Sequence, residues 1–265
     1  MRSTQQLLSY RDMVRELALT DLKLKYQGSL LGYAWTLLRP LLLFAILYVV
    51  FTRVISVGDA VPHYAAQLLL AIVLWSYFAE STAVGMASII DRGEVIRRAS
   101  FPRIAIPIGA SIASAVALLL NVIVLVGFVA LSGVPMRPQL PLLAPILVEL
   151  YLFSVGTSLW LAALFVRFRD LRHIWDLALQ VLFYASPVIY PLSLVPAGIA
   201  WLPALNPLAQ IITDARKAMI EPSSVSSVDI LPFPFALVPY LVPVLIVIGG
   251  YLYFESAASR FAEEL

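Results

Sequence analysis

Six stretches of the sequence, at roughly 34–52, 64–90, 104–131, 141–166, 174–195 and 235–254, are almost continuously apolar. Each is long enough to cross the ~30 Å hydrocarbon core of a bilayer as a helix. A membrane barrel is excluded, because its strands would alternate apolar and polar residues and these runs do not. Little chain remains for anything else. Of 265 residues 61% are hydrophobic and 13% charged, about half the charge that coats a soluble domain, and mean hydropathy is +0.91. The pattern predicts an all-α integral membrane protein of six transmembrane helices, one membrane domain over 1–265, without a large catalytic domain outside the bilayer. The fifth run is the least regular. It closes on SPVIYPLSLVP (Ser186 to Pro196), which predicts a helix that breaks before the far side.

Charge sets the orientation. Fourteen of the 18 Lys and Arg fall in the amino-terminal segment, the loops near 91–103 and 167–172, and the tail, whereas the alternate loops hold Arg53, Arg137, Arg216 and Lys217. Positively charged short loops stay in the cytoplasm, so both termini are expected there, and an even number of spans agrees. Before the first run, residues from about 4 to 27 carry Leu7, Tyr10, Val14, Leu17 and Leu24 at helical spacing, with most charges on other faces. This predicts an amphipathic helix lying in the membrane interface, although Asp21 and Lys25 interrupt its apolar arc. No apolar segment of signal-peptide type precedes it. Between the last two runs, about 196–234, the chain is external by this topology yet apolar. Leu208, Ile211, Ile212, Ala215 and Met219 share one helical face after Asn206-Pro207, which predicts a short helix that dips back into the membrane or packs over a pore mouth.

Several chemistries are missing. Cysteine is absent, and none of the three lysines follows a glycine-rich phosphate loop, so the chain lacks the motif for hydrolysing ATP itself. His63 and His173 fall on opposite sides of the predicted membrane and cannot share a metal. Clustered loop carboxylates for metal or base chemistry are not seen, and no enzyme activity, cofactor or metal is expected in this chain. Glu80 and Glu149 lie inside predicted spans, with Asp176 near the cytoplasmic end of the fifth run. Ionisable groups held at that depth mark a hydrated cavity, a subunit interface or an ion path. The second cytoplasmic segment interleaves apolar Val95, Ile96 and Phe101 with Asp91, Arg92, Glu94, Arg97 and Arg98. A loop that only reversed the chain would not need both, and the pattern suits a short helix docking on a cytoplasmic partner.

The stretches DLKLKYQGSLLGYAWTLLRP (Asp21 to Pro40), RRASFPR (Arg97 to Arg103), RFRDLR (Arg167 to Arg172) and SPVIYPLS (Ser186 to Ser193), followed by Asn206-Pro207, resemble the membrane subunits of type 2 ABC exporters. The nearest subgroup exports O-antigen, capsular polysaccharide or teichoic acid, and the resemblance runs from about residue 10 to 255. It implies a homodimer of six-span subunits with two copies of a separate cytoplasmic ATPase, which binds the ATP and Mg²⁺. The substrate it implies is a lipid-linked glycan crossing the bacterial inner membrane, with nucleic acid no partner. By the same resemblance, about 91–101 is the coupling helix and about 196–234 the external gate region.

A sugar ring presents C–H faces that stack on aromatic rings while phenol and indole groups bond its hydroxyls. Tyr33, Trp35, Tyr48, Trp75, Tyr77, Phe78, Tyr151, Phe183, Tyr184 and Tyr190 are therefore substrate-path candidates, although aromatics also anchor helices at the interface. Lys25 and Arg39 are the candidates for an anionic lipid diphosphate. Two other readings stand beside this one: a permease of the same fold for a drug or small lipid, and an ion-coupled carrier using Glu80 and Glu149.

Overall fold

The computed structural model describes residues 12–23, 32, 34–56, 61–98, 102–135 and 137–261, apart from the side chains of Val95, Arg97 and Arg98. Among the described residues it is all helical, with no strand. Residues 12–23 form α1. The long helices are α2 (Ala34–Val49, continued by a π turn to Val54), α3 (Tyr64–Asp91), α5 (Ala105–Leu131), α6 (Leu143–Arg167) and α11 (Val238–Ala258). Between them lie α4 (Gly93–Arg98), α7 (Leu171–Ala185), α8 (Trp201–Ala204), α9 (Pro207–Met219) and α10 (Ser227–Ile230).

Five of these segments are long and apolar enough to cross a membrane: Ala34–Val54, Tyr64–Asp91, Ala105–Leu131, Leu140–Arg167 and Phe235–Ala258. The fifth run does not form a regular span. α7 has 15 residues, about 22 Å at the α-helical rise, and ends at Ser186, where the following proline disfavours further helix. The expected break is therefore real, and it comes earlier than the apolar run suggested. Residues 186–200 continue without α-helix, and α9 follows the Asn206-Pro207 pair as the sequence predicts.

Helix α3 is the central post. Its faces pack on α5 and α6, while α6 is sealed on its other side by α11. Small residues permit these approaches. A Cβ on Gly250 of α11 would sit 2.4 Å from the Gly156 carbonyl of α6, and one on Gly85 of α3 would sit 2.4 Å from Ser158. Two apolar cores mark the two ends. Ile89, Ile96, Ile104, Ile106, Leu159, Val166, Phe254 and Phe261 pack together at the basic end, so the carboxyl ends of α3, α6 and α11 meet the start of α5 there. The opposite end gathers Tyr64, Leu68, Leu125, Val129, Leu143, Ile211 and Ile212. The amphipathic expectation for the leader holds where the chain is described. Val14 and Ala18 are buried and Leu17 lies over Gly109 of α5, while Leu7, Tyr10 and Leu24 fall outside the described residues.

Candidate substrate groove and coupling turn

Helices α2, α3, α5 and α7 enclose a groove of about 1,060 Å³. It exists because α2 packs on α3 and α5 along one side only, with Trp35, Leu42, Ile46 and Val49 exposed, and because α7 is short and buries none of its residues fully. Proline fixes the position of α2. Pro40 has no N–H for the Thr36 carbonyl four residues back, and Asn121 Nδ2 of α5 donates to that freed oxygen at 3.2 Å. The sequence held the signal for this contact, a lone asparagine in an apolar run opposite a helix proline.

Of the expected path residues, Trp35, Trp75 and Tyr77 border the groove together with Arg39, the lipid-diphosphate candidate. Glu80 and Asp176 line it too, so aromatic faces, one guanidinium and two carboxylates share a single cleft. Phe183 does not border it but supports its wall, edge-on to Trp75 at 5.5 Å. Phe78 stands behind, stacked on Phe153 at 5.1 Å and tilted against Trp175 at 6.4 Å, whose Nε1 donates to Thr82 Oγ1 at 3.2 Å. Trp175, unmarked by sequence reasoning, thus ties α7 to α3. Tyr48 stacks on Phe44 at 5.6 Å, Tyr151 packs between the two cores, and exposed Tyr184 accepts through its carbonyl from Tyr190 Oη at 2.9 Å. None of these three, nor Tyr190, borders the groove. Tyr33 and Lys25 lie outside the described residues.

At the basic end, Asp91 closes α3 and α4 turns the chain toward α5. Ile96 is buried in the end core, so it anchors the turn inward. Arg92 is half-buried and ion-paired to Asp21 of α1, which gives the residue that interrupts the amphipathic arc a role. Burial pushes the Asp21 carboxyl above its ordinary range, against the pull of Arg92. Asp91 and Glu94 are exposed, whereas Phe101 and the side chains of Val95, Arg97 and Arg98 are not among those described.

At the opposite end α9 is buried along most of its length. Asn206 caps it, accepting from Leu208 N at 3.0 Å, and its Nδ2 donates to Ser186 Oγ at 2.9 Å. The five residues predicted to share a face, Leu208, Ile211, Ile212, Ala215 and Met219, are all buried. Sequence reasoning missed Arg216, which is 2% exposed and donates to the carbonyls of Val188 at 3.0 Å, Tyr190 at 3.2 Å and Gln67 at 3.4 Å. Burial draws its pKa down to about 10, opposed by Tyr64 and Tyr190, so it stays charged at neutral pH.

Glu80 and Glu149 belong to different sites. Ser158 Oγ of α6 meets the Ser81 carbonyl of α3 at 3.3 Å, which sets Glu80 near the level of Ser158. Glu149 lies nine residues earlier on α6, about 13 Å along the axis, and contacts Gln210 of α9 at 3.4 Å. A relay that passed a proton directly between them has no support in this geometry.

A bundle of membrane-length helices, a lateral groove of aromatic and charged groups, and a charged turn where the end core meets the surface define a multi-pass membrane transport subunit. The chain belongs to the ABC-2 type transporter family, whose sequence model matches residues 14–220. It is similar to two O-antigen export system permease proteins RfbA of Klebsiella pneumoniae, each 29% identical, over 248 and 251 residues and 92% of both chains. A third, the O-antigen export system permease protein RfbA of Myxococcus xanthus, is 27% identical over 272 residues and the full length of both chains.

Proposed function

We propose that this chain forms the channel of a homodimeric exporter that moves a lipid-linked, O-antigen-like polysaccharide across the bacterial inner membrane. Two copies of a separate cytoplasmic ATPase subunit power it and bind the ATP and Mg²⁺. The observation that carries this reading is the groove, where Trp35, Trp75 and Tyr77 offer stacking faces beside Arg39. A glycan needs such rings along its path, and a lipid diphosphate needs a cation near the point where it leaves the bilayer. Relatives named for O-antigen export support the same substrate class.

In this scheme both termini are cytoplasmic and the basic end faces the ATPase. Asp91, Glu94, Arg97, Arg98 and Phe101 meet that partner, with Val95 and Ile96 seating the turn. α7 and the irregular segment after Ser186 together make the fifth of six membrane passages, and α8 to α10 form the external gate. Lys25 and Arg39 receive the diphosphate. Trp35 is half-exposed in the groove wall, so its loss leaves the bundle intact. Trp35→Ala is expected to lower export of lipid-linked glycan about three- to tenfold, the scale of one aromatic contact, with ATPase assembly unchanged and Trp35→Phe recovering most of the loss. Undiminished export by Trp35→Ala, measured as surface glycan in cells lacking the native permease, would remove the groove from the substrate path.

A further inference from the structure

Gln210 of α9 is fully buried, and its carboxamide joins two carboxylates. Its Nε2 donates to Asp214 Oδ2 at 2.9 Å and to Glu149 Oε2 of α6 at 3.4 Å, while Tyr240 Oη of α11 donates to the same Asp214 oxygen at 2.7 Å. Two buried oxygens here have no partner among the described residues, Glu149 Oε1 and Gln210 Oε1. They sit on the two groups that the 3.4 Å bond already joins. Turning the amide over does not help, since Oε1 would then face both carboxylates.

One proton resolves both vacancies in the hydrogen bonding. Placed on Glu149 Oε1, it donates to Gln210 Oε1 and closes a two-bond acid–amide ring, with N–H···O running one way and O–H···O the other. Asp214 is the carboxylate that stays ionised, because it already accepts from Gln210 and Tyr240. Among the described residues the neighbouring elements supply no counter-charge. α9 presents Asp214, α11 presents Tyr240, and Asp229 of α10 lies beyond and is paired with Lys217 at 3.0 Å. Arg216 is committed to three carbonyls elsewhere. Two ionised carboxylates on one buried amide would repel without compensation.

We propose that Glu149 is held as the neutral acid and pairs with Gln210 through two hydrogen bonds, forming a latch that pins α9 to α6 and opens when Glu149 loses its proton. The latch deepens the exporter reading, in which α9 belongs to the external gate, but its chemistry is testable without any substrate. The sign follows from the proton: the latch is closed while Glu149 holds its proton and releases as rising pH removes it.

The full-length protein in lipid is compared as wild type, Glu149→Gln and Glu149→Ala. Infrared difference spectra across a pH rise should show a protonated-carboxyl band in the wild type that Glu149→Gln removes. Hydrogen exchange of the α9 amides should accelerate with pH in the wild type, stay slow at every pH in Glu149→Gln, whose amide reproduces both bonds, and run about tenfold faster in Glu149→Ala. A band unaffected by Glu149→Gln overturns the proposal. So does α9 exchange that responds to added Na⁺ or Ca²⁺ at fixed pH and not to pH, which would place a cation between the two oxygens instead. If the band and exchange behave as expected, export by Glu149→Gln with its ATPase should fall several-fold and lose its pH dependence. Export unchanged in that case leaves the pair standing and overturns its part in gating.

Discussion

Single side chains settle the places where the backbone departs from helix. Arg216 is the clearest, a buried cation whose partners are carbonyls of the irregular stretch after α7 and of Gln67 in α3. Without it those oxygens lose charge-assisted bonds at a largely buried site. Arg216→Ala is expected to cost about 3 kcal/mol of stability, and Arg216→Lys to recover only part, because an ammonium cannot span all three acceptors. Thermal unfolding of the two purified variants against wild type measures this, and equal midpoints would count against it. Much at this scale was invisible in the sequence. Arg216 reads there as one of four basic residues on the external side, since nothing in the local pattern says which carbonyls will lack partners. Asp21 likewise reads as a flaw in an amphipathic arc until Arg92, 71 residues away, is seen to meet it.

Elements were far more legible. The runs near 64–90, 104–131 and 141–166 correspond closely to α3, α5 and α6, because continuous apolarity over such lengths leaves helix as the structure that satisfies every backbone group in a membrane. The fifth run misled in length only. Apolarity continues to Pro196, but the pyrrolidine at Pro187 ends helix geometry at Ala185. Which helices touch, by contrast, depends on glycines whose meaning appears only in contact. Gly156 and Gly250 let α6 and α11 approach until a Cβ at either would overlap the other's backbone, at 2.6 Å from Val247 Cα and 2.4 Å from the Gly156 carbonyl. Gly250→Ala is expected to force α11 outward at about 1–3 kcal/mol, the usual scale of overpacking. By comparison Gly127→Ala, where the added methyl meets nothing within 4 Å, should be neutral or mildly stabilising. Paired melting curves of these two variants make the comparison, and similar losses in both would refute it.

As a whole the molecule presents apolar surface that its own fold leaves uncovered. On α7, Ile174, Leu177, Val181 and Tyr184 recur along one exposed face, and exposed Leu42, Ile46 and Val49 lie along α2. The proposed homodimer needs an interface, and the α7 face is the one expected to carry it. The chain has no cysteine, so a single Val181→Cys gives a clean test. Mild oxidation in membranes should produce a cross-linked dimer, whereas Ile123→Cys, equally exposed on α5, should stay monomeric. Dimer formation by the α5 variant alone would move the interface. The sequence by itself determined that this chain is a helical membrane protein, the placement of most of its helices, the break after α7 and its family resemblance. Those properties follow from hydropathy, proline and local spacing, which act within a few turns of chain. Only the tertiary structure decided which aromatics share the groove, that Asp21 meets Arg92, that Arg216 is buried, and that Glu149 faces Gln210. Each of those depends on groups far apart in sequence whose desolvation is offset only when the helices bring a particular partner within bonding distance.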